Sequence, residues 1–222
     1  MKISLSTIVK IYLPLIIFII ITTVVTKLAG ISMYQLVADP TEVSHQPAYV
    51  GMFSLIGSFC WCATSAICIF SALILRPNNT TKFSQNIFLF LLFSGIISTQ
   101  LLLDDTFQLH EQFSFIIYGF KTEISRSSQN LAEMLVFAIY GIEFATFILL
   151  FGKLILASRP LFLALTVMFF GISTILDMTP EEMHNFHIVE EYFKLLGIFS
   201  WLMYYFRFCT EQVKNNLSLK SS

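Results

Sequence analysis

Six long apolar segments follow one another along the chain, separated by short polar stretches. They cover residues 8–30, 49–75, 84–108, 131–151, 160–177 and 187–208. Their apolar residues run on without the alternation of a half-buried strand, and about 20 residues of helix cross the hydrocarbon of a bilayer. In lipid only helices and closed barrels satisfy their backbone hydrogen bonds. The pattern therefore predicts an all-α integral membrane protein, a six-transmembrane-helix bundle that forms a single domain over residues 1–222.

Composition supports lipid as the solvent for much of this surface. The 222 residues are 56% hydrophobic and 12% charged, and 24 of them are Phe. A soluble domain has about a quarter of its residues charged, so one water-soluble core could not bury so much apolar surface. The first apolar segment is longer than the core of a signal peptide, and we interpret it as a retained span. We expect the protein in the plasma membrane.

The distribution of charge predicts the orientation of the bundle. An even number of spans places both termini on one side of the membrane, and cytoplasmic loops carry an excess of Lys and Arg. Most of the basic residues fall on the side of the termini: Lys2, Lys10, Arg76, Lys82, Lys153, Arg159, Arg207, Lys214 and Lys220. Nearly all of the acids, and all four His residues, fall on the other side or within the spans. Both termini are therefore predicted to be cytoplasmic.

The third segment ends in the sequence LLLDDTFQLHE, which carries two adjacent carboxylates. At about 100° per residue, Gln100, Asp104 and Glu111 share one helical stripe, whereas Asp105 and His110 point to other sides. This stripe is predicted to form one wall of a site. The alternative is a helix that simply emerges into water there, since acids at the end of a span cost little.

The fourth segment carries Glu143 among apolar residues, close to the predicted midplane. An ionisable group at that depth costs several kcal/mol unless it is paired, protonated or facing water. Glu143 is therefore a candidate for handling protons. The alternative is a protonated Glu143 that makes a structural hydrogen bond between two helices.

The start of the last segment brings together a His, two Glu and a Lys. His187 can reach Glu190 and Glu191 at spacings of three and four residues, and Lys194 lies on the same side. Helix bundles build metal sites from His and carboxylates at this spacing. Asp177 ends the preceding segment close by in sequence. The alternative is an exposed amphipathic turn with an ion pair between Glu190 and Lys194.

These residues suggest a metal centre with oxygen and nitrogen ligands, which suits Zn, Mn or Fe. We predict Asp104, Glu111, His187 and Glu191 as ligands, Glu143 and Lys194 as proton-handling catalytic groups, and Asp105, His110, Asp177 and Glu190 as a second tier. A bound metal would make a water molecule nucleophilic. Apart from this divalent ion, no cofactor is expected.

Three functions remain open on the sequence alone. The first is a metal-dependent, membrane-embedded enzyme that acts on a lipid-like or outer-face substrate. The second is a cation- or proton-coupled transporter or channel-like protein, and the third is a structural or accessory membrane subunit. The chain has no HExxH, GxSxG, P-loop or Rossmann glycine pattern, so whether it is an enzyme is also left open. Expected partners are membrane lipids and a lipid-like substrate or a cation, but no nucleic acid; the oligomeric state is not predicted.

Overall fold

The structure is a computed structural model. It describes residues 13, 17, 20–21, 23–25, 27–30, 51–76, 82–109, 113, 126–177 and 184–221. Within these ranges, the side chains at 82–83, 126–133, 137, 177, 184–188, 217 and 219–221 lie outside the description. The chain divides into two compact units, Met1–Val50 and Gly51–Ser222. In the first unit, the residues described between 13 and 28 are all helical, and their apolar side chains are exposed.

The described part of the second unit consists of helices and short turns, with no strand. We number its helices α1 Met52–Ile74, α2 Lys82–Phe107, α3 Arg126–Ala157, α4 Leu161–Asp177 and α5 His184–Ser221. Three stretches, Met52–Ile74, Ser84–Phe107 and Met134–Ala157, are long and apolar enough to cross a membrane, and Leu161–Leu176 is a shorter apolar helix. The prediction of an all-α protein with helices of membrane-spanning length is therefore confirmed for the described residues.

Two helices extend well beyond the predicted apolar segments. The segment 131–151 lies within α3, which covers Arg126–Ala157, and the segment 187–208 lies within α5, which covers His184–Ser221. The reason is physical: hydropathy marks the residues that lipid accepts, whereas backbone hydrogen bonding continues through polar residues. The last turns of α5, with the sequence KNNLSLKS, are helical and polar.

Helix packing in the second unit centres on α1 and α5. Helix α1 packs along both α2 and α5, α4 packs along α5, and α3 meets α2 at only a few positions. Two glycines permit the close approaches. A Cβ atom on Gly95 would lie 2.6 Å from Ile69 Cγ1 of α1, and one on Gly197 would lie 2.9 Å from the Phe170 ring of α4. Small residues at helix contacts are typical of membrane bundles, where backbones must approach closely to gain packing energy.

The core of the second unit is largely aromatic. Phe90 of α2 is fully buried, and its ring lies 5.1–5.8 Å from the rings of Phe147, Phe151, Tyr205 and Phe208. Offset and edge-to-face pairs at these distances add stability beyond the area they bury. Many other large apolar side chains face outward, which is the arrangement expected of helices surrounded by lipid.

Candidate functional site

The polar positions of α2 fall on three faces, and each face meets a different helix. At about 100° per residue, Ser94, Ser98 and Asp105 lie within about 40° of each other, and Gly95, Thr99 and Thr106 form a second face. Gln100 and Asp104 form a third. The observed partners lie on α5 for the first face, on α1 for the second and on α3 for the third. Helix α2 is thus the element that positions the candidate site.

Asp105 forms an ion pair with Lys194 on α5. Lys194 Nζ lies 2.8 Å from Asp105 Oδ1, and the Asp105 side chain is 7% exposed, against 35% for Lys194. The second carboxylate oxygen, Oδ2, is buried and accepts no hydrogen bond from the described part of the chain. A Cβ atom on Gly57 of α1 would lie 3.5 Å from this oxygen. The ion pair therefore lies where α1, α2 and α5 meet.

Asp104 belongs to a second group of polar side chains, which faces α3. Asp104 is 8% exposed, and the Tyr140 hydroxyl lies within interaction distance of the Asp104 carboxyl and the Gln100 amide. Gln100 Nε2 donates a hydrogen bond of 2.9 Å to Glu143 Oε2. These polar contacts join α2 to α3 in addition to the ring contacts of Phe90 with Phe147 and Phe151. We refer to Gln100, Asp104, Asp105, Tyr140, Glu143 and Lys194 as the α2 polar cluster.

Neutral hydrogen bonds join α2 to its other neighbours deeper in the bundle. Ser65 of α1 lies 2.6 Å from Thr99, hydroxyl to hydroxyl, and Ser65 Oγ also lies 3.1 Å from the Gly95 carbonyl. Trp201 Nε1 of α5 donates to Ser98 Oγ at 3.0 Å. These residues are not among the predicted site residues. The recurrence of Ser94, Ser98 and Asp105 on one helical face was the signal that could have identified the face toward α5.

The structure brings together two pairs of predicted site residues: Asp105 with Lys194, and Asp104 with Glu143 through Tyr140 and Gln100. Glu190 and Glu191 lie on α5, one turn before Lys194, and are partly exposed. The sequence considered an ion pair between Glu190 and Lys194 of the same helix. In the structure, Lys194 lies 2.8 Å from Asp105 of α2 and also interacts electrostatically with Glu190 and Glu191.

Other predicted site residues lie outside the description. His110 and Glu111 fall outside the described residues altogether. Asp177 ends α4 and His187 lies in the first turn of α5, but neither side chain is described.

The predicted metal centre stays a prediction. Among the described residues, no group of three or more His, Cys, Asp or Glu side chains is arranged to hold a metal ion. Of the four predicted ligands, Asp104 and Glu191 have described side chains, and they lie on α2 and α5.

Comparison with known protein families identifies one family that matches most of the chain. The family described as a domain of unknown function, DUF8692, matches residues 14–208. The chain belongs to the DUF8692 family. The DUF8692 match begins inside the first apolar segment and ends at the last residue of the sixth, so it includes every residue of the α2 polar cluster. No curated protein and no solved structure matches the chain.

Proposed function

We propose that this protein moves protons or small cations across the membrane, as a transporter or channel-like protein whose α2 polar cluster binds the ion. The observation that carries the proposal is the buried ion pair between Asp105 and Lys194, held between two helices. Ionisable residues inside membrane bundles are rare, and where they occur they pair with one another and mark proton relays and cation pathways.

The neutral contacts of α2 explain why helix packing alone is a weaker account of this cluster. Uncharged hydrogen bonds already join α2 to both neighbours. Thr99 of α2 bonds to Ser65 of α1, and Ser98 of α2 bonds to Trp201 of α5. A carboxylate and an ammonium at the same interfaces cost more to bury than such groups. The Oδ2 atom of Asp105 also remains without a hydrogen bond from the described residues, which is itself unfavourable. In the proposed function, this oxygen is the atom of Asp105 that binds the proton.

The proposed event is the binding of a proton to Asp105. The proton bonds to Oδ2, the carboxylate loses its charge, and the attraction to Lys194 Nζ is lost. Lys194 is 35% exposed, so its ammonium can turn toward water once it is released. The pair then links proton binding to the contact between α2 and α5.

The second part of the cluster offers further groups that exchange protons. Tyr140, whose hydroxyl can donate and accept, interacts with Asp104 and with the charge of Glu143. Gln100 holds the Glu143 carboxyl at a distance of 2.9 Å.

The proposal includes a topology. It takes six spans, both termini cytoplasmic, and residence in the plasma membrane, as the distribution of Lys and Arg favours. Helix α2 then runs outward, and the α2 polar cluster lies in the outer half of the membrane. A protease added to intact cells should leave tags at both termini uncut, and permeabilisation should expose both. Cleavage of either tag in intact cells contradicts this orientation.

The transport function is tested in liposomes that enclose a pH-sensitive dye. Under an imposed potassium diffusion potential, we expect the wild-type protein to admit protons, and Asp105→Asn or Glu143→Gln to reduce the flux toward that of protein-free liposomes. Glu211→Gln is the control, because Glu211 is exposed and pairs with Arg207 at 3.6 Å near the other end of α5. Wild-type flux equal to that of protein-free liposomes, for protons and for small cations alike, contradicts the proposal.

A metal-dependent, membrane-embedded enzyme acting on a lipid-like or outer-face substrate is the second candidate. It is favoured by the burial of Asp104, a carboxylate suited to a divalent cation, among other polar groups. Asp104, Glu111, His187 and Glu191 would be its ligands. Elemental analysis of the purified protein separates the two functions: stoichiometric Zn, Mn or Fe that Asp104→Ala loses supports the enzyme. Absence of both metal and flux supports an accessory subunit.

A further inference from the structure

A groove lies between Arg76, which follows α1, and the beginning of α2, at the end of α2 opposite the α2 polar cluster. Its volume is about 280 Å³, and Arg76, Gln85, Phe88 and Leu89 line it. Helix α1 has 23 residues, which makes it about 34 Å long. Arg76 follows the end of this helix by two residues, so it stands at the membrane boundary if α1 crosses the bilayer. We call this feature the Arg76 groove.

The Arg76 groove combines a cationic rim with an apolar floor. Arg76 is exposed, and it makes no ion pair or hydrogen bond with the described residues. Its guanidinium offers a planar fork of donors that fits a phosphate group, and the Gln85 amide adds further donors. Phe88 and Leu89 follow Gln85 by one helical turn and present aromatic and aliphatic surface beneath it.

We propose that the Arg76 groove binds an anionic phospholipid. Arg76 and Gln85 hold the headgroup phosphate, and the first methylene groups of an acyl chain lie against Phe88 and Leu89. A soluble phosphate could use only the polar rim, whereas a lipid uses both parts of the groove. The inference is independent of the proposed transport function, because it involves none of the α2 polar cluster.

Charge complementarity determines the class of lipid. The distribution of Lys and Arg predicts that Arg76 lies on the cytoplasmic side, where anionic lipids give the leaflet its negative surface potential. Lys82, the first residue of α2, adds a second positive charge in the sequence that joins the two helices. A zwitterionic lipid carries a compensating positive charge and gains less from this rim.

The test uses the purified full-length protein in a non-ionic detergent, titrated with short-chain phosphatidylglycerol and followed by native mass spectrometry. Phosphatidylcholine with the same chains and inorganic phosphate are titrated in parallel. Arg76→Gln should weaken the binding of phosphatidylglycerol by about fivefold, the effect of one basic residue near a membrane surface. Lys153→Gln removes an exposed lysine of α3 and should leave that binding unchanged.

A second variant separates a lipid from a free anion. Leu89→Trp fills the apolar floor, so it should weaken phosphatidylglycerol and leave any interaction with inorganic phosphate as it was. Three results overturn the proposal: equal binding of phosphatidylglycerol and phosphatidylcholine, equal losses in Arg76→Gln and Lys153→Gln, or competition by inorganic phosphate with no effect of Leu89→Trp. Arg76 and Leu89 are exposed, so we expect both substitutions to leave the fold intact. An unchanged elution profile in size-exclusion chromatography checks this.

Discussion

The ion pair between Asp105 and Lys194 makes a quantitative prediction about the stability of the bundle. Lys194→Met removes the ammonium and leaves a carboxylate whose side chain is only 7% exposed. Breaking a buried ion pair from one side costs about 3–5 kcal/mol. Because Lys194 itself is 35% exposed, water already weakens the pair, and we expect a loss of about 2–3 kcal/mol in the free energy of unfolding.

Removing the opposite charge should cost less. Asp105→Asn keeps the shape of the side chain, and the released Lys194 can extend its ammonium toward water, so we expect a loss of about 1 kcal/mol. The double variant Asp105→Asn with Lys194→Met has neither charge of this pair left. It should therefore lose at least about 1 kcal/mol less than the sum of the two single variants, as coupled neighbours do.

The assay is unfolding by sodium dodecyl sulfate in mixed micelles, followed by tryptophan fluorescence. The chain has 2 Trp, and both Trp61 and Trp201 are buried, so their emission reports on the core of the bundle. Additivity of the two single losses to within about 0.5 kcal/mol would show that the two charges do not interact, which is contrary to the prediction. The prediction is equally refuted if Lys194→Met has no cost.

Further predictions concern the packing around α2. Gly95→Ala places a methyl group 2.6 Å from Ile69 Cγ1 and should destabilise the contact of α1 with α2 by about 1–3 kcal/mol in the same unfolding assay, the usual cost of overpacking. Gly141→Ala is its matched control, since no described atom outside the adjoining residues and backbone of its own helix lies within 4 Å of the added carbon. A loss as large as that of Gly95→Ala would contradict the predicted close approach. Ser98→Ala removes the acceptor of the Trp201 indole and should cost about 1 kcal/mol, with a change in tryptophan emission as its signature. Unchanged emission and stability would mean that this hydrogen bond is absent.

The adjacent residues Asp104 and Asp105 show which features of the site can be predicted from the sequence and which cannot. The rotation of about 100° per residue correctly separates Asp104 from Asp105. It cannot say which helix stands at each angle, because that depends on the packing of segments far apart in the chain. Asp105 therefore stands in the second tier of the predicted site residues, whereas the structure gives it the 2.8 Å contact with Lys194.

The neutral part of the site was missed for a related reason. Ser65, Ser98 and Thr99 are unremarkable within apolar segments, because a hydroxyl can bond to the carbonyl four residues earlier in its own helix. Thr99 does so at 2.8 Å, and Ser98 also at 2.8 Å. Only the approach of α1 and α5 reveals their second role as contacts between helices.

Helix boundaries mark another limit of the hydropathy pattern. The predicted apolar segments 49–75 and 160–177 agree closely with the helices Met52–Ile74 and Leu161–Asp177. The C-terminal end of α5 was not predicted. Its residues continue the helix, but they are polar, and the prediction rested on apolar segments.

The most direct test of the central claim is proton flux through the double variant Asp105→Asn with Lys194→Met. Its neutral side chains should preserve the fold, as elution and tryptophan emission matching the wild type will verify. In liposomes under a potassium diffusion potential, we predict that the wild-type protein admits protons and that the folded double variant admits no more than protein-free liposomes. Flux through the double variant at the wild-type rate would contradict the account, because the ion pair would then serve the packing of α2 against α5 alone.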